Sequence, residues 1–306
     1  MADIMSEITL VTAFFDIGRD KFVSIPRAND KYFEYFRFWS RIKNNLIVYT
    51  DSVNEDRVLQ IRREFHLEDR TTVIVIDDIY DIEPEILSNV TDVAKNSHFL
   101  DFRLHRNATS NSAKYSYLML LKSWFLADAV KKKLTAKTVA WIDFGFNHGG
   151  KVYTKSEEFD FTWEYDFSEK IQLFYYGEYD DKPIFEIVRR LNDCLMGPLF
   201  VLPADLCHEF FELNKESMSI LNSVGLIDDD QLLMMFSYRR KPEIFELHKS
   251  SWFLALKECG APQLTVKQQN PKNNNKNMLM WILSYYIKEK GILKYLFRTY
   301  KSLKNR

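Results

Sequence analysis

Three short runs of side chains could do chemistry. Val139-Ala140-Trp141-Ile142-Asp143-Phe144-Gly145 is an apolar run that ends in one carboxylate and then opens into a turn with glycines at 145, 149 and 150. Asp228-Asp229-Asp230-Gln231 gathers three acids ahead of Leu232, Leu233, Met234, Met235 and Phe236. Lys122 sits within a long helical pattern, Ala113 to Lys133, just before the first run. A carboxylate at the carboxyl end of a buried strand faces the crevice where open α/β sheets bind ligands, which makes Asp143 the first functional candidate. Its plainer reading is a turn residue, since Asp bonds readily to its own backbone. The plainer reading of the three acids is a helix start, where capping and the helix dipole favour negative charge. His148 reads as an ordinary surface or capping residue.

The elements that must position these groups follow a regular rhythm. Ile8–Phe15 is almost wholly apolar, as a strand buried on both faces should be. A helix is expected over Asp30–Ile42, strands over Leu46–Tyr49 and Thr72–Ile76, and a helix between them over Asn54–Phe65. That alternation describes a parallel, Rossmann-like half. Only Gly18 lies near the first turn, so the glycine fingerprint of a dinucleotide dehydrogenase is missing. Asn96–Asn111 is polar and reads as a loop over the site. Further strands are expected at Thr138–Ile142, Ile171–Tyr176, Leu195–Leu202 (bent at Gly197-Pro198) and Ile244–Leu247, with helices at Pro203–Asn222 and Asp228–Arg239.

Composition narrows the classes. The 306 residues are 46% hydrophobic and carry a net charge of −1, which supports a sizeable core and argues against an electrostatic nucleic-acid binder. Cys194, Cys207 and Cys259 lack paired spacing, so neither a disulfide framework nor a zinc site is expected, and a reducing cytoplasm fits. The N-terminus does not read as a signal peptide, and no apolar run reaches membrane-spanning length. From Lys276 onward eight Lys/Arg face one acid, Glu289. Residues 1–267 are read as one domain, the Asn-rich stretch 268–277 as a polar linker, and 278–306 as a basic amphipathic helical tail. Aromatics interleaved with lysines suit a helix lying on an anionic membrane; packing on a neighbouring subunit of a homo-oligomer, or back on the body, is the other reading.

Four blocks in order, ITLVTAFFDIGR at 8–19, the Lys122 helix with WIDFG at 141–145, MGPLF at 196–200 and DDDQLL at 228–233, resemble the bacterial HtrL/YibB-like proteins, over roughly residues 7–255. That resemblance implies a GT-A type α/β fold, a Rossmann-type mixed sheet flanked by helices, and a glycosyltransferase of the hexosyltransferase type acting on a nucleotide-sugar donor, with a UDP-sugar favoured. It implies that Thr12, Phe14, Asp16, Arg19, Thr50, Lys122 and Asp143 hold the donor nucleotide. Asp229, Asp230 and Gln231 would do catalysis, and Gly197 with Asp230 would meet sugar or acceptor. The GT-A pattern expects a D-x-D pair, and Gly145 replaces its second acid. A divalent metal, Mn²⁺ or Mg²⁺, would then rest on Asp143 and His248. The acceptor expected is a glycan or lipid-linked glycan of lipopolysaccharide, O-antigen or capsule, met by a cytoplasmic protein peripheral on the inner face of the inner membrane. The rival readings are a non-catalytic nucleotide- or glycan-binding protein, or a structural partner in a polysaccharide-assembly complex.

Overall fold

The computed structural model describes residues 7–22, 26–104, 108–177, 181–191 and 194–267. Seven strands form one mixed sheet: β1 (Ile8–Phe14), β2 (Leu46–Thr50), β3 (Thr71–Val75), β4 (Thr138–Ile142), β5 (Ile171–Tyr175), β6 (Leu199–Pro203) and β7 (Phe245–Lys249), in the order β3-β2-β1-β4-β6-β5-β7. β3, β2, β1 and β4 are parallel. β6 enters antiparallel to both β4 and β5, and β7 pairs parallel with β5. Burial follows position: β2 and β6 are buried at every residue, whereas the edge strands β3 and β7 are largely half-exposed. Apolar side chains on both faces are what a strand covered by helices on each side needs.

The helices are α1 (Asn29–Trp39), α2 (Glu55–Arg63), α3 (Pro84–Lys95), α4 (Ser97–Phe102), α5 (Ala113–Lys131), α6 (Ile184–Arg190), α7 (Cys207–Ser223), α8 (Asp230–Arg240) and α9 (Ala255–Glu258). Two cores result. On one face α3, α5, α7 and α8 pack on Val11, Val139, Trp141 and Phe200. On the other, α1, α2 and the 253–264 segment cover Leu10, Phe14, Ala140 and Ile142. α5 is the central element of the first core, with Tyr117, Leu120, Leu121, Phe125 and Leu126 all buried.

Chain direction puts helix starts at the site. β1 is followed by α1 on one face, and α5 precedes β4 on the other. Both helices begin near the carboxyl ends of the central parallel strands. The chain moves outward from β1 to β2 and β3, then returns to place β4 on β1's other side. This reversal between β1 and β4 is the switch point where open sheets leave a crevice.

Several expectations need correction. Leu195–Leu202 is not a single bent strand: Leu195 makes only an isolated bridge to Tyr175, and β6 starts at Leu199. Gly197-Pro198 interrupts the ladder because Pro has no N–H to donate. The 96–111 stretch is not all loop, since α4 occupies its first half. α3, α6 and the short α9 were not expected. α3 carries Pro84 in its first turn and Ile86, Val90 and Val93 on one buried face, the ordinary pattern of a helix start followed by an apolar stripe. The linker and tail calls, 268–277 and 278–306, lie outside the described residues. Among the described residues no helix is long and apolar enough to cross a membrane.

Candidate active site

The switch point is an open cleft of about 790 Å³, its mouth included. Its floor comes from the ends of β1 and β4: Phe14, Phe15 and Asp16 after one, Trp141, Asp143 and Phe144 after the other. Tyr32 and Asn29 of α1 close one side. Tyr115, Leu118, Met119 and Lys122 of α5 close the opposite side. Positions 115, 118, 119 and 122 are three and four apart, so they share a single helix face.

Lys122 organises the centre. Its ammonium lies 2.7 Å from Asp143 Oδ1, 2.7 Å from Asp230 Oδ2 and 3.1 Å from the Gly197 carbonyl. Those three contacts match the three N–H donors of a lysine. Burial alone would lower its pKa, but Asp143 and Asp230 outweigh it and the net shift is upward, so Lys122 stays charged. Asp143 is not a turn cap: its Oδ1 also accepts from Trp141 Nε1 at 2.7 Å, while its backbone N–H reaches the Pro198 carbonyl at 2.9 Å. A third of its side chain is exposed, against 9% for Asp230. Of the two carboxylates on Lys122, Asp143 is thus the one that faces the cleft.

The acidic run divides its labour. Asp228 is fully buried against Arg103, 3.2 Å away. Burial raises its pKa, and Arg103 works in the opposite direction. Arg103 also donates to the Ile227 carbonyl at 2.6 Å, which pins the approach to α8. Asp229 caps α8 by accepting from Gln231 N, and its other oxygen takes the Ser110 hydroxyl at 3.0 Å. Burial, with the Asp228 charge added, pushes it up to about 6. Asp230 is also pushed up to about 6 by burial, which exceeds the opposing pull of Lys122. Gln231 donates to the Leu195 carbonyl at 3.0 Å and ties α8 to the bend before β6. Gly197 packs tightly there: an added Cβ would lie 2.0 Å from Asp230 Oδ2, so the carboxylate would have to move.

The mouth is cationic. Arg19 is buried, its guanidinium 4.7 Å from the Phe22 ring and 5.1 Å from Tyr115. Arg27 is half-buried over Tyr32 at 5.9 Å. Asp16 is held below its ordinary pKa by the Gly18 N–H and by Asn29, and Lys21 and Lys114 reinforce this from the rim. His148 is not the plain surface residue expected. It lines the cleft between Tyr35 and Phe253, and burial first, then Arg27 and Lys151, bring its pKa down to about 4. A neutral imidazole follows at physiological pH. The loop that carries it runs through four consecutive residues of positive φ, Asn147 to Gly150. Asn147 stabilises the turn by accepting from the Val152 and Tyr153 N–H groups.

With this geometry in hand, the comparisons bear on all of the cleft. A family described as "bacterial protein of unknown function (HtrL_YibB)" matches residues 6–260. The chain belongs to that family. It is 28% identical over 266 residues to Protein HtrL of Escherichia coli (strain K12), covering 81% of this chain and 90% of the relative. Among solved structures it is similar to mouse xyloside xylosyltransferase 1 in its apo form, at 12% identity and TM-score 0.41, covering 79% of this chain and 85% of that one. A second is the PaToxG glycosyltransferase, at 12% identity and TM-score 0.36, covering 78% and 71%. Likenesses this distant lend no support to an activity, which must come from the cleft of this HtrL/YibB member itself.

The cleft brings together Phe14, Asp16, Arg19, Lys122 and Asp143, with Asp230 and Gly197 directly beneath. Other expected residues lie elsewhere. Thr12 is fully buried and does not line the cleft; Thr50 is fully buried and donates to the Phe14 carbonyl at 2.8 Å, so it braces the strand end. Asp229 and Gln231 hold the architecture behind Asp230. His248 lies on β7, three strands from β4, or roughly 14 Å at the usual strand spacing, and bonds Gln172 at 2.6 Å. It is not placed to share a metal with Asp143. Among the described residues no group of three or more His, Cys, Asp or Glu could hold a metal ion. A divalent cation bridging Asp143 and Asp230 would have to displace the Lys122 ammonium, which lies 2.7 Å from both. The expected ligand pair, Asp143 with His248, is therefore not assembled. Arg27 and Tyr115 went unread in sequence, and Tyr32 and His148 were not assigned to the cleft. Tyr115 had a signal, since it lies two helical turns before Lys122.

Proposed function

We propose that this protein transfers a sugar from a nucleoside diphosphate sugar, a UDP-sugar favoured, to a glycan acceptor. The observation that carries the reading is the cleft at the β1/β4 switch point, which combines two arginines, aromatic walls and the carboxylates of Asp16 and Asp143. Guanidinium forks suit phosphate oxygens. The start of α1 adds to this, because it has no side-chain cap and a helix N-terminus favours an anion. Tyr32 or Tyr115 offers a face for a base. In the transfer, the bond from the sugar's anomeric carbon to the diphosphate oxygen breaks, with the electron pair leaving on the diphosphate. The acceptor oxygen forms the new bond and loses its proton. Asp143 is positioned to face the sugar, by hydrogen bonding to it or by taking that proton, and Lys122 with Trp141 fixes its orientation.

A lipid-linked surface polysaccharide at the inner face of the bacterial membrane is the acceptor we favour, on the family resemblance and the basic composition of 278–306. The experiment is a panel of UDP-, GDP-, ADP- and dTDP-sugars, with release of nucleoside diphosphate measured for the full chain and for Asp143→Asn. At least one donor should turn over, and Asp143→Asn should lower that rate by about 100-fold or more, in the range of a lost acid–base group. Binding without turnover for every donor would favour a non-catalytic nucleotide-binding role, consistent with how tightly Asp143 is already engaged.

A further inference from the structure

We infer that the cleft takes its nucleoside diphosphate without a divalent cation: Arg19 and Arg27 receive the phosphates, and the Lys122 ammonium occupies the place a metal bridging Asp143 and Asp230 would need. The inference rests on reading the cleft as a nucleoside diphosphate site, and it adds where the counter-charge comes from.

Three observations converge. First, each carboxylate a metal would use already has hydrogen-bond partners. Asp16 accepts from Gly18 N at 2.8 Å with one oxygen and from Asn29 Nδ2 at 2.9 Å with the other. Asp143 Oδ1 and Asp230 Oδ2 both accept from Lys122. Second, the cation between those two carboxylates is covalently part of α5 and buried, so a metal would have to expel a tethered charge rather than water. Third, the lining already carries guanidinium groups that suit a diphosphate. Arg19 and Arg27 line the cleft as cations separate from Lys122, whose own charge is engaged by Asp143 and Asp230. The lysines at 21 and 114 act on Asp16, and Lys151 with Arg27 acts on His148, so the rim is cationic on both sides.

The groups divide by role. Lys122 has spent its donors, so it is a positioning residue that neutralises Asp230 and orients Asp143. The hydrogen bonds to phosphate fall to the guanidinium groups. Mg²⁺ sites of the nucleotide kind use one or two carboxylates with phosphates and waters. Here the carboxylate that faces the cleft is already bonded to an ammonium.

The test is calorimetric titration of the wild-type protein with UDP and with GDP, once in EDTA and once with Mn²⁺ or Mg²⁺, together with Arg27→Ala in EDTA. Arg27 is half-buried at the rim, so its removal leaves the core untouched. The expected result is a Kd that agrees within about 3-fold with and without metal for at least one nucleotide, and that weakens about 10-fold or more in Arg27→Ala. Binding that weakens 10-fold or more in EDTA and is restored by Mn²⁺ would overturn the inference and leave the proposed function standing. Absence of binding in both conditions for every nucleoside diphosphate would overturn both. Metal-independent binding that Arg27→Ala leaves unchanged would show the phosphates lie elsewhere, and so would overturn the assignment.

Discussion

Two buried cations in this protein have opposite surroundings. Arg62, at the end of α2, is wholly buried and donates to the backbone carbonyls of Ser40, Ile42 and Asn44 at 2.7, 2.8 and 3.2 Å, and to Thr71 Oγ1 at 2.8 Å. No carboxylate touches it in those contacts, and burial, with Arg70 adding to it, pulls its pKa down to about 9. Lys122 is as deeply placed but meets two carboxylates, and its net shift is upward. Arg62 stitches the turn between α1 and β2 to the edge of the sheet. Lys122 holds two acids from distant parts of the chain at the sheet's switch point, one of them facing the cleft. A buried cation that satisfies carbonyls is architecture; one that compensates carboxylates at a cleft is poised for chemistry.

The comparison can be broken most severely by removing each cation. Arg62→Met and Lys122→Met should each cost about 3–5 kcal/mol, because both leave buried partners uncompensated, read by urea unfolding. They should then part company. At low temperature, per folded molecule, Arg62→Met should transfer sugar at the wild-type rate, whereas Lys122→Met should have lost transfer. Equal activity in the two would erase the distinction.

Gly197→Ala sharpens the Lys122 side. The added Cβ would meet Asp230 Oδ2 at 2.0 Å, so Asp230 must move and the ion pair opens. A loss of about 1–3 kcal/mol, typical of overpacking, should accompany a large fall in transfer. Unchanged turnover would mean that the Lys122–Asp230 contact is dispensable.

Asp229 gives a smaller, pH-dependent effect. Its pKa is raised to about 6 by burial and by Asp228, above the unfolded value of about 3.9. The folded state therefore holds the proton more tightly, and wild-type stability from this group falls as pH rises through about 4 to 6. Asn caps a helix as well as Asp does. Asp229→Asn should match the wild type near pH 4 and exceed it by on the order of 1–3 kcal/mol near pH 8, as read by thermal melts. A variant less stable than wild type at pH 8 would contradict the sign.

The smallest effect belongs to His248. Replacing it with Ala removes one bond to Gln172 on a half-exposed strand, worth about 1 kcal/mol or less, and should leave transfer unchanged. Loss of a metal-dependent activity in His248→Ala would restore the metal role expected from sequence.

How much of this was legible in the sequence depended on whether the signal was local. The seven strands could be read because β-branched runs such as Ile47-Val48 and Thr72-Val73-Ile74 are self-contained signals, and only β6 was misplaced. Asp143 could be singled out by its place at a strand end. The second carboxylate on Lys122 could not, because Lys122 and Asp230 are 108 positions apart and only the packing of α5 on α8 brings them together. The acidic run shows the same limit. Asp228, Asp229 and Asp230 look alike in sequence, yet one pairs with Arg103, one caps α8 and one pairs with Lys122. Helix rotation and neighbouring elements decide among them. The silent role of Thr50 has a similar cause: a threonine at a strand end suits a ligand as well as it suits a neighbouring carbonyl.

The central claim is that a nucleotide-sugar lies at the β1/β4 switch point, and photolabelling tests it most directly. The wild-type protein would be irradiated with a 5-azido-UDP-sugar, with and without excess UDP, and the labelled peptides mapped by mass spectrometry. The account predicts UDP-protected label on residues 13–19, 27–32, 115–122 or 141–148, the segments that carry the cleft lining. UDP-protected label confined to other segments, such as 245–267, or no protected label at all, would contradict it.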